Sequence, residues 1–200
     1  MFEKIKTDIE RFCQVRKGSG PTTFAEKLDE VLMNPCLHVL MLYRFLNWVV
    51  NEIHNPVVRR FFTLSVRPLV FWYRRIHGIS IDNEASIGKG FYIGHPGGIL
   101  IGPVKIGENC NIAHNVTIGL GGRGEGRELP EIGCQVWIGT MSVIFGKIVI
   151  GDHTTILPGT ILSKSVPPHV TVGGNPGRII MQNTNNDDII FGTGRYPAGR

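Results

Sequence analysis

The sequence predicts a mainly β fold built on a six-residue repeat and preceded by a small α-helical region. Ile132, Ile138, Ile144, Ile150, Ile156 and Leu162 place a branched aliphatic residue at every sixth position. That period matches neither the alternation of a strand nor the ~3.6-residue turn of a helix, and it makes each hexad one side of a coil. Four residues after each aliphatic stand Val136, Ser142, Ile148, Thr154, Thr160 and Val166, mostly small or β-branched side chains suited to the inside of a narrow coil. The same phase runs upstream through Ile81, Ile87, Ile93 and Ile99, then Ile106, Ile112 and Ile118 after one extra residue, with glycine following at Gly88, Gly94, Gly107 and Gly119.

Taken in order, residues 1–78 read as helices. Gly18-Ser19-Gly20-Pro21 separates the first from the second, Asn34-Pro35 and Asn55-Pro56 mark further turns, and Gly78 closes the region. Cys36 to Val50 follows an i, i+3, i+4 rhythm through Leu37, Leu40, Met41, Arg44, Phe45 and Trp48, the mark of an amphipathic helix. Val57 to Tyr73 is apolar and carries Arg59, Arg60 and Arg67, with Arg74 and Arg75 next. Core or subunit packing is the plain reading of these helices, and membrane-peripheral docking the sharper one. The repeat region spans 79–180 and is interrupted by a glycine-rich stretch at 119–131, which reads as an extruded loop and hence as a place for function. Residues 181–200 turn polar and lose the hexad phase, so they read as a partly disordered tail.

Composition narrows the function classes. A net charge of +5 and a pI near 9.2 invite a nucleic-acid reading. The basic residues are scattered, however, and no helix-turn-helix, zinc-finger or RNA-binding signature appears, so no nucleic-acid partner is expected. The four cysteines, Cys13, Cys36, Cys110 and Cys134, have no metal-ligand spacing and read as free, buried thiols of a reducing cytoplasm. Charged residues from Lys4 to Arg11 interrupt any apolar run at the start, and the segment at Cys36 is too short to span a bilayer.

Over residues 81–180 the hexads resemble those of the hexapeptide-repeat acetyltransferases, and in particular the serine acetyltransferase-like family. The resemblance implies a left-handed parallel β-helix with three hexads per coil. On that geometry His95 and His114, each two residues after a phase-setting isoleucine, share one column on adjacent coils, at the edge where the glycine-rich loop leaves the coil. "IGKGFYIGHPGGILIG" is similar to the family motif whose histidine is the general base, which implies that role for His95. His114, in "NIAHNVTIG", ranks second, as an orienting or acceptor-binding residue. The chemistry needs one base, because a neutral alcohol attacks a thioester poorly until an imidazole removes its proton. The oxyanion needs preorganised donors, which backbone N–H groups at a coil edge supply.

From Val136 to Ile180 the chain resembles the acetyl-CoA-binding end of such enzymes. This implies pantetheine along Gly139-Thr140 and Pro158-Gly159, and phosphates met by Ser163, Lys164 and Arg178, since cationic heads pair with phosphate. Acetyl-CoA is thus the expected co-substrate, with no metal. A homotrimer with active sites between subunits is expected, on the resemblance and on outward Trp137 and Phe145, and the N-terminal helices could pair trimers into a hexamer.

The acceptor is expected to be the hydroxyl of a sugar or lipid-linked sugar, as in the polysaccharide O-acetyltransferases. Serine acetyltransferases place an aspartate before the catalytic histidine, where this chain has Gly94. They place another in the preceding coil, where it has Ser80 with Asp82 nearby. Their Arg-His pair before a proline is here Glu128-Leu129. Asp82, Arg123, Arg127 and Glu128 are therefore the candidates for binding the acceptor. Three rival readings are serine O-acetylation in cysteine biosynthesis, a non-catalytic β-helix scaffold, and a metal held between stacked histidines as in β-helix carbonic anhydrases. The last lacks a third histidine in phase.

Overall fold

A computed structural model describes residues 1–18, 20–121 and 129–191. Four helices come first: α1 (Phe2–Lys17), α2 (Phe24–Met33), α3 (Pro35–Glu52) and α4 (Pro56–His77). Their boundaries have local causes. Thr23 and Glu26 form a reciprocal capping box on α2, and Asn34 and Asn55 each accept two backbone N–H groups ahead of a proline in the first turn. Gly78 ends α4 at φ 62°, in the left-handed region where only glycine sits without strain.

Fourteen short parallel strands then wind up a coil. The first face stacks β1 (Ile79–Ile81), β4 (Ile99–Ile101), β7 (Thr117–Gly119), β10 (Val143–Phe145) and β13 (Ile161–Leu162). The second stacks β2 (Ser86–Ile87), β5 (Lys105–Ile106), β8 (Glu131–Ile132) and β11 (Val149–Ile150). The third stacks β3 (Tyr92–Ile93), β6 (Asn111–Ile112), β9 (Trp137–Ile138), β12 (Thr155–Ile156) and β14 (Val170–Gly173), with β15 (Arg178–Gln182) added antiparallel at its end. This is the parallel β-helix that the hexads predict.

Register explains the period. Ile81, Ile101, Ile118, Ile144 and Leu162 lie directly above one another, so the phase-setting residue of each hexad points into the prism. Ile93, Ile112, Ile138, Ile144, Ile150, Ile156 and Leu162 are all at most 1% exposed, and burying each such side chain contributes roughly 1.5–3 kcal/mol. The second column, from Val136 to Val166, is buried throughout. Ser142 and Thr160 are tolerated there because each hydroxyl donates to the carbonyl of Leu157.

The helices close the first coil. Leu37 and Leu40 of α3 are fully buried, and the Tyr43 hydroxyl donates to the carbonyl of Ala85 at 2.6 Å. Arg44 and Asp8 form a buried ion pair, 2.9 Å from Nε to Oδ2, with the two side chains 3% and 1% exposed. Arg44 also donates to the carbonyls of Ile87 and Gly88, while Asp8 accepts from the backbone N–H of Gly90 and Phe91. That clamp fixes the backbone leading into β3.

Two expectations are corrected. Residues 181–191 are not a loose tail: β15 extends to Gln182, and α5 (Asp187–Phe191) packs on α1 with Asn186 and Ile190 buried. Asn186 donates to the carbonyls of Gln135 and Thr154, which satisfies coil edges of the third face. α1 and α5 overlie part of that face, on which Trp137 is half-buried. Cys134, lastly, is half-buried where burial was expected, whereas Cys13, Cys36 and Cys110 are buried free thiols. Burial pushes the Cys36 and Cys110 thiols up to about 12, which keeps them protonated and inert.

Candidate functional site

The paired residues Tyr92, Asn111, Trp137 and Thr155 fix the register of the third face. Three residues beyond each, where the chain turns from the third face to the first, stand His95, His114, Thr140 and Pro158. The two imidazoles on adjacent coils lie edge to face, with ring centroids 6.1 Å apart. His95 is exposed and His114 half-buried. Among the described residues neither ring makes a hydrogen bond, so neither imidazole is spent on holding the fold.

Below the histidines the corner is tightly bound to itself. The carbonyl of His114 accepts from the Thr140 hydroxyl at 3.0 Å and from the Met141 N–H at 3.2 Å, and the Gly159 N–H donates to the Thr140 carbonyl at 2.8 Å. Gly139 is required for this stacking, because a Cβ there would sit 2.6 Å from the backbone nitrogen of Pro158. Four of the residues expected to bind the donor, Gly139, Thr140, Pro158 and Gly159, thus continue the histidine column.

Ser163 and Lys164 occupy a different corner, at the far end of β13 where the first face meets the second, and both are exposed. Arg178 opens β15, just after a turn whose backbone hydrogen-bonds to Ile161 of the first face. The residues expected to bind the donor therefore bracket the first face, uncharged at one edge and cationic at its end.

Asp82 is not brought to the histidines. It follows β1 at the first-to-second corner, with its carboxylate accepting from the Glu84 N–H at 2.9 Å. The glycine-rich stretch also leaves from that corner, after β7, whereas the sequence reading had it leave at the histidine edge. Arg123, Arg127 and Glu128 lie outside the described residues, and Leu129, just beyond, packs on the core.

Sequence reasoning missed the wall that the helices supply. A cavity of about 230 Å³ opens beside Gly94 and Pro96, the neighbours of His95, and is lined across from them by Arg16, Asp29, Glu30 and Asn34. Arg16 pairs with Asp29 at 2.8 Å and with Glu30 at 2.9 Å, and the Asn34 amide donates to Glu30 at 2.8 Å. Asn34-Pro35 was legible only as a turn between helices. No sequence signal tied it to a turn sixty residues away. Among the described residues no group of three or more His, Cys, Asp or Glu side chains is placed to hold a metal, and no helix is long and apolar enough to cross a membrane.

A hexad-built parallel β-helix, closed by helices at its first coil and carrying a histidine pair on one open corner, defines the class of hexapeptide-repeat acyltransferases. Comparison with known proteins narrows this. Serine acetyltransferase from Bacillus pumilus is 33% identical over 150 residues, 74% of this chain and 69% of that protein. Serine acetyltransferase from Helicobacter pylori is 32% identical over 155 residues, 77% of this chain and 86% of that protein. Among solved structures, the serine acetyltransferase of Brucella abortus in complex with coenzyme A aligns with a TM-score of 0.73 at 28% identity, covering 92% of this chain and 68% of that one. No family model matches the chain. The chain belongs to the serine acetyltransferase family and is an acyltransferase.

Proposed function

We propose that the protein is an acetyl-CoA-dependent serine O-acetyltransferase. This replaces the sugar acceptor expected from the sequence. The observation that carries it is likeness to serine acetyltransferases over nearly the whole of one relative's length. The cavity beside His95 offers the acceptor a place: Arg16 on its wall pairs with exposed Asp29 and buried Glu30, and the carboxylate of a free amino acid can take the place of Asp29 on that guanidinium.

In this reading His95 accepts the serine hydroxyl proton as the oxygen bonds to the acetyl carbon. Acetyl-CoA supplies an activated thioester whose sulfur leaves and takes up that proton. His114 orients the acceptor one coil below. Gly139, Thr140, Pro158 and Gly159 seat the pantetheine arm, and Ser163, Lys164 and Arg178 meet the phosphates. The enzyme works in the cytoplasm as a homotrimer, or as a hexamer through its N-terminal helices.

A second reading retains a sugar hydroxyl as acceptor. It is favoured by Gly94 ahead of His95, and by the lack of any carboxylate bonded to His95 among the described residues. Thiol release from acetyl-CoA, followed with L-serine and with a panel of sugars, separates the two. Serine turnover that loses affinity in Arg16→Ala supports the first, and release with a sugar but not with serine replaces it by the second.

A further inference from the structure

α4 differs from the other long helices in having no buried residue. One side of it, Phe62, Val66, Val70 and Tyr73, is half-buried, and the Tyr73 hydroxyl hydrogen-bonds His38 of α3 at 3.0 Å. The opposite side carries a second apolar stripe. Val57, Phe61, Leu64 and Trp72 recur at helical spacing and are 74%, 67%, 48% and 60% exposed. On a helix these residues point away from the body of the protein.

The charges around that stripe are of one sign. α4 holds five arginines and neither aspartate nor glutamate. Arg59, Arg60 and Arg67 line, with Thr63, a groove of about 630 Å³ along its flank, and Arg74 and Arg75 close its C-terminal end. None of the five makes an ion pair among the described residues.

We infer that α4 is an interfacial helix that docks the protein on an anionic lipid surface. The stripe enters the acyl boundary while the arginines reach headgroup phosphates, Arg59, Arg60 and Arg67 from the flanking groove. Charge decides against a second copy of the helix as occupant. Pairing two such helices antiparallel about their midpoints, at Arg67, sets Arg59 and Arg60 of one against Arg75 and Arg74 of the other, with no acid on either to compensate. An anionic membrane answers both the apolar stripe and the cations, each arginine near its surface strengthening binding by several-fold.

Flotation of the full chain with phosphatidylcholine vesicles, and with vesicles of phosphatidylcholine and phosphatidylglycerol in equal parts, tests this. The protein should float with the anionic vesicles only, and high salt should release it. The triple variant Arg59→Gln/Arg60→Gln/Arg67→Gln should lose binding by about 100-fold, and Phe61→Ser/Trp72→Ser should lose it with the acetyl-transfer rate unchanged. Failure to float at low salt overturns the inference. So does a halved solution mass of Phe61→Ser/Trp72→Ser by light scattering, which would assign the stripe to a contact between copies.

Discussion

Replacing Asp8 by alanine should be among the most damaging single changes outside the site. The carboxylate is 1% exposed and has three protein partners: Arg44, the Gly90 N–H at 2.8 Å and the Phe91 N–H at 3.1 Å. Its removal leaves a guanidinium buried without its counter-ion and two backbone donors without their acceptor, which together cost about 3–5 kcal/mol. A loss near 4 kcal/mol is expected, a large share of the ~5–15 kcal/mol by which such domains are stable. With a urea dependence of about 2 kcal/mol per molar, the unfolding midpoint should fall by about 2 M. Burial pushes the Asp8 carboxyl up even though Arg44 and the two N–H groups hold it down, so desolvation outweighs what these partners return to the ionised form. Asp8→Leu/Arg44→Met should therefore be far more stable than Asp8→Ala. A midpoint shift below about 0.5 M in Asp8→Ala, or a double variant worse than the single, refutes this reasoning.

Other outcomes follow from the same geometry. His95→Ala should lower turnover by roughly 100-fold or more while acetyl-CoA binding by calorimetry stays within twofold; His114→Ala should cost less, and the reverse order would exchange the two roles. Gly139→Ala places a Cβ 2.6–2.9 Å from backbone atoms of Pro158, Ile156 and Leu157, so the corner must shift, and the KM for acetyl-CoA should rise about tenfold at a stability loss of about 1–3 kcal/mol. The Thr23 N–H and Lys17 hold the Glu26 carboxyl down, from 4.5 to about 2. Its contribution to α2 is then present above pH 4.5 and is lost as pH falls toward 2, a loss visible by amide exchange in α2 and absent in Glu26→Gln.

The sequence spoke clearly where a residue's role is set by its neighbours along the chain. Ile132 to Leu162 could be assigned to the interior from phase alone, because a parallel coil repeats the same environment every hexad. The His95 and His114 column followed from the same counting. What stayed hidden depends on partners far away. Asp8 and Arg44 look like surface charges in their own helices, and only the fold shows them buried against Gly90. Asn183 to Asp188 reads as solvated tail, yet Asn186 is spent on carbonyls of the third face. Arg16, Glu30 and Asn34 are ordinary helix residues until α1 and α2 fold beside the turn that holds His95. The exit corner of the glycine-rich stretch was misjudged because hexad phase tells which residues point inward but not which of three corners an insertion leaves from.

The stacked corner gives this enzyme a fixed unit of length. His95, His114, Thr140 and Pro158 each come from a separate coil in continuous register, so their spacing along the axis advances in steps of one strand separation, about 4.8 Å. His95 and the cationic end of the first face, at Lys164 and Arg178, are several such steps apart, and no single side chain sets that span. An added or deleted coil would change the reach between them by one whole step while leaving the local geometry of each end untouched. A scaffold of this kind can be refitted to a longer or shorter substrate by counting coils, without redrawing either end.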